Sequence, residues 1–177
     1  MQGVPVLRVA AIHDLSGFGR ASLTVAIPIL ATMGIQVCPL PTAVLSSQTS
    51  GVDDFTSLDL TSQMAPIMDH WARMGLRFDA VYSGFLGSPD QSWLAGRCIR
   101  EFRAPGGIAV VDPVLGDNRR LDPTPTPETV EAMRRLVHHA DTLTPPPPDA
   151  ASLPDHTHPP ALPPPAAPPP PPPPHHP

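Results

Sequence analysis

Apolar residues rich in Val and Ile gather in four runs, Val6 to Ile12, Ile35 to Leu45, Ala80 to Tyr82 and Ile108 to Val111, the second interrupted by Pro39 and Pro41. Runs of this kind read as buried strands. Between them the spacing changes to that of helices. Met64, Ile67, Met68, Trp71 and Met74 form an i, i+3, i+4, i+7 stripe closed by Gly75, which core packing explains better than a cofactor site. Ala21 to Met33 carries Leu23, Ile27 and Leu30 on one face, and Pro28 is expected to bend that helix or remove one of its hydrogen bonds. Ser88, Pro89 and Gln91 supply an N-cap, a proline at the first helical position and the capping-box amide, and Thr126-Pro127-Glu128 repeats the device.

The predicted order is β-α-β-α-β-α-β-α with a short last strand near Thr142. Strands alternating with helices in this way favour a parallel sheet with right-handed crossovers and helices on both faces. Such sheets bind ligands beyond the carboxyl ends of their strands. Every predicted strand is indeed followed by residues suited to a site: His13 to Gly19, Ser46 to Gly51, Ser83 to Gly87, Asp112 to Asn118, and Thr144. Five loops are therefore expected to converge on one edge.

From Pro145 onward the pattern gives way to proline tracts without periodic apolar residues. Consecutive prolines lack backbone donors and favour polyproline II, so a disordered or stiff extended tail over 145–177 is expected, following a folded unit over 1–144. Such a tail could dock onto SH3-like or WW-like modules, or be an accident of the sequence.

Charge narrows the partners. The net charge is -5 and all 11 basic residues are Arg, which leaves no basic stripe for nucleic acid. Cys38 and Cys98 stand far apart, so buried reduced thiols are expected rather than a disulfide or zinc site. Without a signal peptide or a long apolar run, a soluble cytoplasmic protein is expected.

Within the loops, Gly17-Phe18-Gly19 reads either as a tight βα turn or as backbone donors facing a ligand. Asp112 and Asp117, bracketing a Pro and a Gly, suit a hard cation such as Mg2+ with phosphate, or else a capped turn with a solvated partner. His13, beside Asp14, is either a hydrogen-bonded strand-end histidine or a proton-transfer group. Adjacent His138 and His139 point in different directions and make a poor metal pair. Ser46, Ser47 and Thr49 offer hydroxyls for a substrate or for a turn.

Taken together, AAIHDLSGFGRASLTVAIPIL, CPLPTAVLSSQTSG, AVYSGFLGS, VVDPVLGDN and ADTLTP resemble, in order and spacing, the pyridoxal (pyridoxamine) kinases of the ribokinase-like superfamily over residues 6 to about 145. Hydroxymethylpyrimidine kinases share the fold and are the nearest competitor. The resemblance implies an α/β, ribokinase-like, mostly parallel Rossmann-like sheet and ATP-dependent phosphorylation of the 5′-hydroxymethyl of a B6 vitamer, with Mg2+ and often K+. It places Ile12, Ser16, Thr49, Ser50 and Phe85 at the substrate. Asp112, Asp117, Thr144 and Asp149 fall on the ATP side, with Asp112 and Asp117 near the metal. Pro146 replaces an Asn of the family's TPNxxE-like segment, and Ile12 stands where many pyridoxal kinases have a substrate-binding Ser. The family's C-terminal half, with its adenine pocket, Gly-rich anion hole and catalytic Asp, has no counterpart, so impaired catalysis is expected. Family members are commonly dimers, which suggests a homodimer. The rival expectation is a non-catalytic binding module with a proline-rich docking tail.

Overall fold

The computed structural model describes residues 6–49, 51–52, 54–114 and 126–144. In chain order the elements are β1 (Arg8–Ser16), α1 (Leu23–Thr32), β2 (Gln36–Leu45), β3 (Ser57–Asp59), α2 (Thr61–Arg73), β4 (Phe78–Ser83), α3 (Pro89–Phe102), β5 (Arg103–Val111), α4 (Pro127–Val137) and β6 (Thr142–Leu143). They build a sheet in the order β3-β2-β1-β4-β5-β6, parallel throughout except that β3 runs antiparallel to β2. The chain leaves β1 in one direction to reach β2 and returns on the other side to β4. A crevice therefore opens at the carboxyl ends of β1 and β4, where such folds hold ligands.

Two features depart from the expected alternation. β3 was not expected, because three exposed residues, two of them polar, carry no apolar run. Its pairing with Ala43, Val44 and Leu45 makes it a strand. β1 also runs past Ile12 to Ser16, because after a register shift Leu15 and Ser16 still pair with Val44 and Leu45.

Pro39 and Pro41 sit inside β2 without breaking it. Gln36 N–H bonds to the Leu7 oxygen on the β1 side, so by strand alternation Val37, Pro39 and Pro41 turn their nitrogens to the opposite edge. β3 covers that edge only from Ala43 onward, so neither proline leaves a neighbour without a donor. Pro28 likewise stays within an unbroken α1.

One face of the sheet is thickly covered. Met64 and Met68 of α2, Cys98, Ile99 and Phe102 of α3, and Met133 and Leu136 of α4 close over Ala10, Ile12, Leu40, Val81, Ala109 and Val111 in a single core. Met74, expected to join that stripe, is the C-cap of α2 and lies exposed. Val9 and Ala11 are also buried but stand outside that core, on the opposite face by alternation. There, among the described residues, α1 packs against β1 and β2, and Ile108 remains 50% exposed.

The N-caps behave as the sequence predicts. Ser88 accepts from the Gln91 N–H, Thr126 accepts from the Thr129 N–H, and a proline opens each helix. Gln91 does not reach back to its N-cap, however; its Oε1 accepts from Gly87 N–H at 2.8 Å, one residue earlier.

Candidate functional site

A cavity of about 820 Å³ opens at the carboxyl edge of the sheet, between α1 and the ends of the parallel strands. β1 contributes His13, Asp14 and Ser16; the segment after β2 contributes Gln48 and Thr49; β4 and its loop give Tyr82, Gly84 and Phe85; and Asp112 and Val114 follow β5. Four of the five expected loops thus meet. The fifth ends at the same edge, since Thr144 N–H bonds to the Val111 oxygen at 3.2 Å, but Thr144 does not line the cavity.

Of the residues that the resemblance places at a substrate, Ser16, Thr49 and Phe85 line the cavity and Asp112 joins them. Ile12 does not: it is 0% exposed and belongs to the core beneath α2, α3 and α4. As an inward-facing strand residue one position before His13, it turns away from the cavity by strand alternation, which corrects its assignment to the substrate. Ser50, Asp117 and Asp149 lie outside the described residues, as do Pro146 and the proline tail.

The Gly17-Phe18-Gly19 loop is a tight turn. Gly17 N–H donates to the Leu45 oxygen at 2.8 Å and Phe18 N–H to the Ser46 oxygen at 3.1 Å, so both extend the β1–β2 ladder. Arg20 N–H in turn donates to Gln48 Oε1 at 3.2 Å. These donors are used within the protein, and Phe18 itself projects outward, 74% exposed. Gly19 is required here, with φ of +108° and a Cβ position already filled by the Gln48 side chain.

Asp14 anchors the polar wall. Ser16 Oγ donates to its Oδ2 at 3.1 Å and Ser22 Oγ to its Oδ1 at 2.5 Å. Ser22 is the residue before α1, yet it gives that helix no side-chain cap and holds φ at +53°, a conformation unfavourable for a residue with a Cβ. The hydrogen bond to Asp14 is what this backbone geometry accompanies.

His13 and Tyr82 form the floor. Their rings meet edge to face with centroids 4.3 Å apart, on neighbouring strands at the crevice. Burial drives the His13 pKa down to about 4, against an opposing pull from Asp14, so the imidazole is neutral near pH 7. Tyr82 is pushed up, first by burial and then by the negative charge of Asp112. His13 is signalled by its place as a strand-end histidine; Tyr82 carries no such signal, because it reads as part of a buried run.

Ser46 is structural, exchanging backbone and side-chain hydrogen bonds with Thr56 at 2.9 Å. His139 stands 3.1 Å from the Arg100 guanidinium. Among the described residues no group of three or more His, Cys, Asp and Glu is arranged to hold a metal ion, and no helix is long and apolar enough to cross a membrane.

No family model matches the sequence, but individual proteins do. The curated pyridoxal kinase PdxY of Burkholderia orbicola (strain AU 1054) is 33% identical over 112 residues, 61% of this chain and 39% of that protein. PdxY of Paraburkholderia xenovorans (strain LB400) is 33% identical over 104 residues, 56% and 36% of the two chains. Among solved structures, a Bacteroides thetaiotaomicron protein provisionally named a phosphomethylpyrimidine kinase, crystallised with pyridoxal, superimposes with a TM-score of 0.79 at 50% identity, covering 84% of this chain and 52% of that one. The pyridoxal kinase of Lactobacillus plantarum gives 0.77 at 34% identity, over 84% and 53%. That of Leishmania donovani, in complex with ADP and pyridoxine, gives 0.74 at 26%, over 82% and 53%. The chain spans about four tenths of the curated relatives and about half of these solved ones.

The sheet order, the cavity at its switch point and these neighbours define a ribokinase-like α/β protein. Over the part that the matches cover, the chain is similar to the pyridoxal kinases.

Proposed function

We propose that the cavity binds a B6 vitamer and that the chain serves ATP-dependent phosphorylation of the vitamer's 5′-hydroxymethyl group. One observation carries this reading: Ser16, Thr49, Phe85 and Asp112 come from four separate segments yet line one cavity at the topological switch point, where open parallel sheets bind ligands. The pyridoxal in the Bacteroides thetaiotaomicron crystals supports the choice of ligand. Phosphoryl transfer asks a protein chiefly for positioning and charge stabilisation. In this reading Thr49 and Ser16 hydrogen-bond the pyridine ring's substituents and Phe85 walls the pocket.

Asp112 faces the phosphate side. A single carboxylate there fits Mg2+, which keeps several waters and takes one or two protein carboxylates together with substrate phosphates; ATP is the phosphate source, with Thr144 at the same sheet edge. We assign Asp117, Ser50 and Asp149 to the same site on the resemblance alone, together with K+ as a second cation, a homodimeric assembly and a cytoplasmic setting. Residues 1–144 form the kinase-like unit in this reading, and the proline-rich residues 145–177 are a separate segment suited by composition to SH3-like or WW-like modules.

A second reading, hydroxymethylpyrimidine as substrate, is favoured by the name of that same Bacteroides thetaiotaomicron protein. Thermal unfolding at saturating ligand separates the two, because a ligand that binds only the folded state raises the melting temperature. Pyridoxal is expected to raise it. A shift with the pyrimidine and none with pyridoxal overturns the vitamer assignment.

A further inference from the structure

His13 is 4% exposed, lines the cavity, and keeps its Nε2 out of solvent with no hydrogen-bond partner among the described residues. Leaving a buried polar group unsatisfied is costly and calls for an explanation. Nothing about the ring's placement is loose. Tyr82 meets it edge to face, and on the adjoining loop a Cβ added to Gly84 would lie 2.3 Å from Nδ1 and Cε1. Gly84 therefore leaves room for this ring alone, and its N–H is tied to the Ile12 oxygen at 3.1 Å, which fixes the loop against the strand carrying His13.

A histidine immobilised in this way and held neutral offers one donor and one acceptor. The charged groups around it are Asp14 on its own strand and Asp112 beyond Tyr82, and neither supplies a hydrogen bond to the ring. Asp14 is taken up by Ser16 and Ser22. Among the described residues nothing completes the hydrogen bonding of this imidazole, and a molecule in the cavity that its ring lines can do so.

We propose that His13 is a specificity-determining residue of the cavity: an imidazole nitrogen hydrogen-bonds a polar ring atom or ring hydroxyl of a planar heteroaromatic ligand, with Tyr82 and Gly84 fixing the imidazole's place. This rests on the vitamer-binding reading above and adds to it the residue that distinguishes a polar heteroaromatic ring from an apolar one. A neutral partner suits the task, since it recognises the ligand's hydrogen-bonding pattern and not its charge.

The test uses the whole 177-residue chain. Wild type, His13→Phe, which keeps a ring against Tyr82 but removes both nitrogens, and His13→Gln, which restores a donor and an acceptor, are titrated calorimetrically with pyridoxal. In parallel, the His13 ring nitrogens of wild type are followed by 15N NMR. His13→Phe is expected to lose about tenfold in affinity, the scale of one hydrogen bond, and His13→Gln to recover most of it. One ring nitrogen of wild type should shift on saturation while the ring stays neutral. Equal binding by wild type and His13→Phe, or unchanged nitrogen resonances at saturation, overturns the inference and leaves vitamer binding standing. Should His13→Phe not fold, the resonances decide. Failure of wild type to bind pyridoxal overturns the vitamer reading and this inference with it.

Discussion

Gln91 donates from Nε2 to the Thr42 backbone oxygen at 3.0 Å, joining the first turn of α3 to β2 where β2 shifts register against β1. The same nitrogen stands 2.8 Å from Thr61 Oγ1 and 3.1 Å from Asp59 Oδ2, while Oε1 holds Gly87 N–H. One amide, 1% exposed, thus ties the loop that carries Phe85 to β2, β3 and the start of α2. Gln91→Leu leaves several of these groups unsatisfied and is expected to lower stability by about 2–3 kcal/mol. Urea unfolding should show a lower midpoint at unchanged slope; an unchanged midpoint would mean that the hub is dispensable.

Thr49 lines the cavity, and in the proposed site its hydroxyl contacts the vitamer. Thr49→Ala should weaken pyridoxal binding by about 1 kcal/mol, roughly fivefold, and leave thermal unfolding of the free protein unchanged. Calorimetric titration reads this directly, and unaltered affinity removes Thr49 from the site.

The pH dependence follows from His13. Its folded-state pKa of about 4 lies below the ordinary value of 6.5, so between these values the unfolded chain binds the extra proton. The contribution is fully present above about pH 6.5 and is lost as pH falls toward 4, amounting to at most about 3 kcal/mol. Comparing wild type with His13→Phe across pH 4 to 7 isolates it from the other titrating groups. Parallel stability curves for the two proteins would show that burial of this imidazole is not linked to pH.

Ser88 caps α3 through its hydrogen bond to the Gln91 N–H at 3.3 Å. Ser88→Ala should cost about 1 kcal/mol. Because Gln91 lies in the first turn of that helix, its amide should lose order too, and hydrogen exchange at Gly87 N–H should quicken. Exchange there unaffected by the substitution would separate the cap from the hub.

The strands and helices were legible where packing follows a local period: the Met64 and Met68 stripe, the caps at Ser88 and Thr126 and the runs of β2 and β5 all stand where their spacing puts them. What depends on partners distant in sequence was not. β3 exists through its pairing with Ala43 to Leu45, and β1 extends to Ser16 through Leu45. Likewise the Gly17-Phe18-Gly19 loop could have offered its donors to a ligand, and only the position of Leu45 and Ser46 decides otherwise. In the cavity wall, Thr49 and Asp112 follow from loop position and Phe85 from the resemblance. Tyr82 escaped because a strand residue's facing depends on register, and Ile12, placed at the substrate by the resemblance, lies in the core.

Among the described residues the sheet carries three helices on one side and α1 on the other, and the cavity lies on the side with α1. α1 is built almost wholly of apolar residues, of which Leu23 is buried while Ile29 stays exposed. A flat ring settling against it would act as interior material, adding to the apolar partners that β1 and β2 already give α1. Occupancy and foldedness are then linked: a ligand that buries apolar surface of α1 in the folded state alone adds its binding free energy to the stability of the fold.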